Sequence, residues 1–129
     1  MLIEGLYTVD HFSFEDNTIN ASVTLNNEHA VFKGHFPGNP ILPGVCSIQI
    51  IKELIEKALE KSLFLSVSTN IKFLETVNPD ENSKLVLSIA ISEVEDVIKT
   101  KAIISYNDSI ALNLRAQFKD LIGAESLKN

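Results

Sequence analysis

Residues 32–45 read FKGHFPGNPILPGV, a stretch holding three of the chain's four prolines and three of its five glycines. Pro37, Pro40 and Pro43 each fix φ, and Gly34, Gly38 and Gly44 permit turns that side chains forbid, so the segment is expected to be a stiff loop of defined shape. It runs directly into the one strong helical pattern, at about Gly44–Lys61. There Ile48, Ile51, Leu54, Ile55, Ala58 and Leu59 recur at helical spacing, with Lys52, Glu53, Glu56, Lys57 and Glu60 on the other side. Pro43 stands at or just before the first turn, where a missing N–H costs nothing. The first turn departs from the pattern: at about 100° per residue, Val45 and Cys46 fall on the otherwise polar side, flanking Gln49. The helix is thus expected to be enclosed where it starts and to keep one face in water afterwards.

Everything around this helix reads as strand. Ile19, Ala21, Val23 and Leu25 alternate with Asn20, Ser22 and Thr24, the period of a half-buried strand. A strand from about Tyr7 to Phe14 precedes it, with Asp16-Asn17 as the turn. After the helix, Leu63, Leu65, Val67, Ile71 and Phe73 are read as one face of a long strand. A turn at Asn78-Pro79-Asp80 leads to a strand with Leu85, Leu87, Ile89 and Ile91 on one face. Ile98, Ala102, Ile104 and Tyr106 follow, then a hairpin turn at Asn107-Asp108-Ser109, and Ile110, Leu112, Leu114 and Phe118 complete the set. Short turns between consecutive strands predict an antiparallel sheet. The class is α+β, with five or six strands wrapped around one central helix.

A length of 129 residues predicts one domain, residues 1–129. The net charge of −6 argues against a general nucleic-acid binder, which needs clustered cations to displace counterions. A lone cysteine, Cys46, excludes an internal disulfide and a thiolate zinc site, and fits a reducing, cytoplasmic setting. No basic stretch followed by an apolar core opens the chain, and no apolar run approaches the roughly 18 residues of a membrane span, so neither a signal peptide nor a membrane segment is expected.

The chemistry converges on the loop and the helix start. A helix N-terminus carries unpaired N–H groups and partial positive charge, a natural place for a carbonyl oxygen or oxyanion. His35 is held nearby by stiff backbone. A proton-transfer group beside a carbonyl-polarising site is what abstraction of a proton α to a thioester requires.

The run GHFPGNPILPGV resembles the signature loop of the 3-hydroxyacyl-(acyl carrier protein) dehydratases, with the spacing from His35 through Phe36-Pro37 and Pro40 to Pro43-Gly44 kept without a gap. Asn70, Lys72-Phe73, Val77 and Pro79-Asp80 extend the similarity more weakly along the next strand and turn. The resemblance implies the hot-dog fold and dehydration of a 3-hydroxyacyl thioester to the trans-2-enoyl thioester. It implies no metal and no bound cofactor, the substrate being carried on the phosphopantetheine of an acyl carrier protein. His35 would remove the C2 proton, and the Gly44 N–H would hold the thioester carbonyl, with Val45, Phe36 and Pro43 around the substrate. The family's site is shared between protomers, which implies a homodimer or a heterodimer with a related chain. Five positions after the glycine the family places an acid that helps the 3-hydroxyl leave; here that position is Gln49, whose amide cannot supply a proton near neutral pH. A water, or Glu53 one turn onward, is the candidate to take the acid's place, although Glu53 is read as lying on the wet face.

Gln49 keeps a second reading open, a non-catalytic acyl-thioester-binding subunit, and a hot-dog thioesterase is a third. His11 and His29 have no comparable surroundings and are read as ordinary strand or loop residues. Cys46 reads as a small buried hydrophobe. The loop lacks the GxGxxG and GxxxxGK[ST] spacings, so nucleotide binding is rejected. Lys33, Lys52, Lys72 and Arg115 are the cations considered for meeting an acidic carrier.

Overall fold

A computed structural model describes residues 4–33 and 40–120. In chain order these form β1 (Tyr7–Glu15), β2 (Thr18–Leu25), a single-turn α1 (Ala30–Lys33), α2 (Gly44–Leu59), β3 (Leu63–Phe73), β4 (Lys84–Val94), β5 (Val97–Tyr106) and β6 (Ser109–Asp120). The strands make one six-stranded sheet in the order β1-β2-β4-β5-β6-β3, every neighbouring pair antiparallel. Two hairpins turn where the sequence placed them. Asp16 and Asn17, like Asn107 and Asp108, all have positive φ, a backbone state that Asn and Asp tolerate and that matches the twist of paired strands. The short α1 was not anticipated: His29 holds it, its Nδ1 accepting the Val31 N–H at 3.0 Å while its Nε2 lies 2.9 Å from the Glu4 carbonyl.

Period-two alternation is clean in β2 and β4, where Ile19, Ala21, Val23, Leu25, Leu85, Leu87, Ile89 and Ile91 are all buried. Elsewhere irregularities override it. In β3 the register slips between Leu65 and Val67 and again between Ser68 and Asn70, and each slip turns the following side chains over. Val67, between the two slips, is turned out opposite Gln117, whereas Leu65, Ile71 and Phe73 stand opposite the buried Phe118, Leu114 and Leu112 and keep the expected face; on that face Leu63 is buried while Leu65 and Phe73 are exposed in the single chain. A slip between Ile104 and Ser105 similarly leaves Ile110 exposed and buries Ala111 beside Leu112.

Helix α2 lies on the sheet through Cys46, Ser47, Ile50, Ile51, Leu54 and Ile55. Four of these, Ile50, Ile51, Leu54 and Ile55, are at most 1% exposed, and each contributes about 1.5–3 kcal/mol relative to an exposed position. The buried stripe is rotated from the expected one: Ile48 is only partly covered and Ile50 is central. Val45 and Cys46 do not share a surroundings either. Cys46 enters the core, while Val45 is 72% exposed in the single chain, so the first turn is not enclosed by its own protomer. Glu60 ends the helix in the left-handed conformation, its N–H donating to the Glu56 carbonyl.

Candidate functional site

The start of α2 is placed by a chain of backbone and tyrosine contacts. Leu42 is buried and its N–H donates to the Val77 carbonyl at 2.8 Å. The turn that carries Val77 is pinned by Tyr106, whose hydroxyl donates to the Asn78 carbonyl at 2.7 Å and accepts the Asn78 N–H at 3.2 Å. Pro43 is the N-cap, extended at φ −61° and ψ 143°, and its carbonyl accepts from Cys46 at 3.0 Å and Ser47 at 3.3 Å. Proline offers no side-chain oxygen, so among the described residues no side chain caps this end, and the first turn contains no acidic residue. The N–H groups of Gly44 and Val45 have no helical carbonyl behind them and point out of the helix start. A carbonyl oxygen arriving there meets two donors and the positive end of the helix dipole.

Gly44 makes room for its neighbour. A Cβ at this position would stand 2.7 Å from both Cε1 and Cζ of Phe73, because the ring occupies the space a side chain would take. Phe73, though 56% exposed, thus lies against the residue whose N–H the sequence assigns to the carbonyl.

Gln49 is one turn beyond Val45 and partly buried. Its Nε2 donates to Oε2 of Glu53 at 2.8 Å, and Oε1 of the same carboxylate accepts the Tyr7 hydroxyl from β1 at 2.6 Å. Glu53 is 9% exposed, so it is not on the wet face; β1 brings Tyr7 over this side of the helix. Further along, Lys57 lies 5.3 Å from the centre of the Phe12 ring of the same strand. Burial, and then the Glu53 carboxylate bonded to it, push the Tyr7 hydroxyl well above its ordinary pKa, so it stays a protonated donor. Cys46 is buried and its thiol is likewise raised by desolvation, which makes it a poor nucleophile.

Of the residues singled out from sequence, Pro43, Gly44, Val45 and Gln49 are gathered on the first turn and a half of α2; His35 and Phe36 lie outside the described residues. Tyr7 and Tyr106 were missed, and Glu53 was considered but placed on the wet face. Glu53 was legible as the i+4 partner of Gln49, but nothing in the local pattern announced that β1 would cover it. Of the cations considered, Lys52 is committed elsewhere, donating to the Leu63 carbonyl at 3.1 Å and pairing with Glu56, Lys72 and Arg115 are exposed, and the Lys33 side chain lies outside what the structure describes. Among the described residues, no group of three or more His, Cys, Asp or Glu side chains is placed to hold a metal.

A family model described as ApeI-like, ApeI dehydratase, matches residues 11–111. The 3-hydroxyacyl-[acyl-carrier-protein] dehydratase FabZ of Lactobacillus helveticus is 30% identical over 104 residues, covering 75% of this chain and 68% of that protein. The FabZ of Caulobacter vibrioides is 30% identical over 98 residues, 69% of this chain and 60% of that one. The chain thus spans about two thirds or less of the length of these curated relatives. Among solved structures, the dehydratase heterocomplex ApeI:P from Xenorhabdus doucetiae aligns with a TM-score of 0.71 at 21% identity, over 87% of this chain and 96% of that chain. A hypothetical thioesterase from Streptococcus pneumoniae, solved with coenzyme A, aligns at 0.64 with 12% identity, over 88% and 84%. Both structural likenesses bear on the fold, which is the hot-dog fold: six antiparallel strands around a central helix.

Proposed function

Since the chain belongs to the ApeI-like dehydratase family, we propose that it removes water from 3-hydroxyacyl thioesters of acyl carrier protein and releases trans-2-enoyl thioesters. One observation carries this reading above the others: the GHFPGNPILPGV run leads into a helix start whose N-cap is a proline, with no side-chain cap among the described residues and no acidic first turn. The thioester carbonyl sits on the N–H of Gly44, which stabilises the negative charge that develops on oxygen as C2 loses its proton. His35 takes that proton, the C2–H electron pair becomes the C2=C3 bond, and the C3–O bond breaks. Phe36, Pro43 and Val45 line the approach.

The departing hydroxyl needs a proton, and the Gln49 amide cannot give one. The imidazolium formed at His35 returns the proton it has just taken, so the elimination balances on one residue. No electrons are gained or lost overall, and no cofactor is invoked. Gln49 holds the hydroxyl in place.

The site is completed by a second chain, either a copy or a related hot-dog subunit. Among the described residues, strand β3 ends the sheet with an edge of eleven residues and shows Leu65 and Val67 to solvent, with Phe73, Leu74 and Val45 also exposed. A long exposed apolar edge of this kind is a template for pairing. The carrier protein is the second partner, with Lys72 and Arg115 the exposed cations retained for it. A soluble carrier and one buried cysteine suit the cytoplasm, and no helix among the described residues is long and apolar enough to cross a membrane.

Gln49 favours one alternative, a binding subunit that relies on its partner for the acid. Turnover of a 3-hydroxyacyl thioester by the purified assembly, compared with His35→Ala, tests the main reading. Enoyl formation by the wild type alone is expected; equal rates in both would remove His35 as the base.

A further inference from the structure

Glu53 is the one charged side chain that is buried among the described residues, and the elimination does not use it. Both its oxygens are engaged, one by Gln49 and one by Tyr7, and among the described residues no buried side-chain polar atom lacks a partner. The chemistry of the three groups fixes their roles. A carboxylate only accepts hydrogen bonds, so it takes the nitrogen of the Gln49 amide and rejects its oxygen. If the amide turned over, two oxygens would face each other at 2.8 Å, and a buried acceptor would lose its donor. Tyr7 occupies the other carboxylate oxygen and prevents Glu53 from swinging away. Among the described residues the Gln49 carbonyl oxygen takes no hydrogen bond.

We propose that Glu53 and Tyr7 are positioning residues that lock the Gln49 amide nitrogen inward, so that its carbonyl oxygen meets the C3 substituent of the acyl chain and selects a hydroxyl over an oxo group. The inference rests on the dehydratase reading, in which Gln49 belongs to the acyl site. A 3-hydroxyl donates to that oxygen. A 3-oxo group has no proton to donate and sets oxygen against oxygen. The locked amide therefore separates the substrate from its 3-oxo counterpart, the compound whose reduction must supply it. A carboxylic acid at position 49, the family's usual choice, could accommodate either group, as acceptor or as donor.

The test measures binding of 3-hydroxyacyl and 3-oxoacyl pantetheine amides, which keep the acyl chain but resist elimination, to the assembled protein by calorimetry. The wild type is expected to prefer the hydroxyl by about tenfold, the worth of one net hydrogen bond. Glu53→Gln gives position 53 a donor as well as an acceptor, releases the amide to turn over, and should bring the ratio close to one. Tyr7→Phe keeps the ring and should lower the ratio in the same direction, which carries the test if the Glu53 variant fails to fold. A merely structural role would weaken both ligands alike and leave the ratio unchanged; that result in a folded variant overturns the inference. Equal binding of the two amides by the wild type also overturns it and leaves the dehydratase reading standing. Binding of neither amide overturns that reading itself.

Discussion

Gln49→Glu changes one atom's chemistry and almost no volume, and the structure sets its consequences. The new carboxyl stands 2.8 Å from Oε2 of Glu53. Two unit charges at that distance repel by about 6 kcal/mol at an effective dielectric of ~20. The pair cannot hold both charges, so one proton stays shared between them, and its apparent pKa belongs to the pair and is strongly raised. The protonated form is a second donor beside the departing 3-hydroxyl, which in the wild type is served by the His35 imidazolium alone. A general acid is worth ~10²–10⁴-fold, and a proton already shared with Glu53 places the expected gain near the lower figure. The raised pKa fixes the sign of the pH dependence. The gain is full at acidic pH and disappears as pH rises through the pair's pKa. Stability follows the same direction: relative to the wild type, the variant weakens as pH rises above the ordinary glutamate value of about 4.3. Initial rates of enoyl formation between about pH 5 and pH 8, with denaturant midpoints at both ends of the range, read both effects. A wild type that already turns over as fast as the variant across that range, with both proteins folded, refutes the reasoning and makes the amide itself the working group.

Gly44→Ala forces the Phe73 ring back from a 2.7 Å contact; because the ring is 56% exposed it can yield, so a loss of about 1 kcal/mol is expected. Phe73→Ala in the same chain should remove that loss, and a double-mutant cycle on denaturant midpoints that shows no coupling would contradict the contact. Tyr7→Phe leaves an oxygen of Glu53 without its donor and should cost about 1–3 kcal/mol near neutral pH. Since folding raises the Tyr7 pKa, the tyrosine's contribution is complete below about pH 10 and declines above it; a gap between wild type and variant that stays constant into strong alkali would count against the bond. Val67→Lys puts a charge on edge strand β3 and should shift sedimentation from dimer towards monomer, whereas an unchanged distribution would place the interface elsewhere.

The elements were legible wherever local pattern and tertiary packing agree. β2 and β4 alternate without interruption because neither contains a bulge, and the Asp16-Asn17 and Asn107-Asp108 turns carry residues chosen for positive φ. β3 was misread at Val67 alone, because the slip that turns it out is set by pairing with β6 and leaves no mark in the alternation of Leu63, Leu65 and Val67. The helix stripe was misplaced by the pull of Ile48, and Glu53 was assigned to water because a charged residue on a polar flank ordinarily faces it. Only the approach of Tyr7, 46 positions away in sequence, buries that carboxylate. The helix start was readable because Pro43 and Gly44 constrain the backbone locally; the network that orients Gln49 was not, because it is assembled from three separate positions on two elements.

The central claim is the identity of the product. The purified assembly is mixed with a 3-hydroxyacyl thioester of acyl carrier protein, and the carrier-bound species is read by mass spectrometry. The account predicts loss of one water with the thioester intact, giving the trans-2-enoyl carrier. Free carrier thiol together with 3-hydroxy acid would contradict it and point to a thioesterase, and an unchanged substrate that stays bound would make the chain a binding subunit.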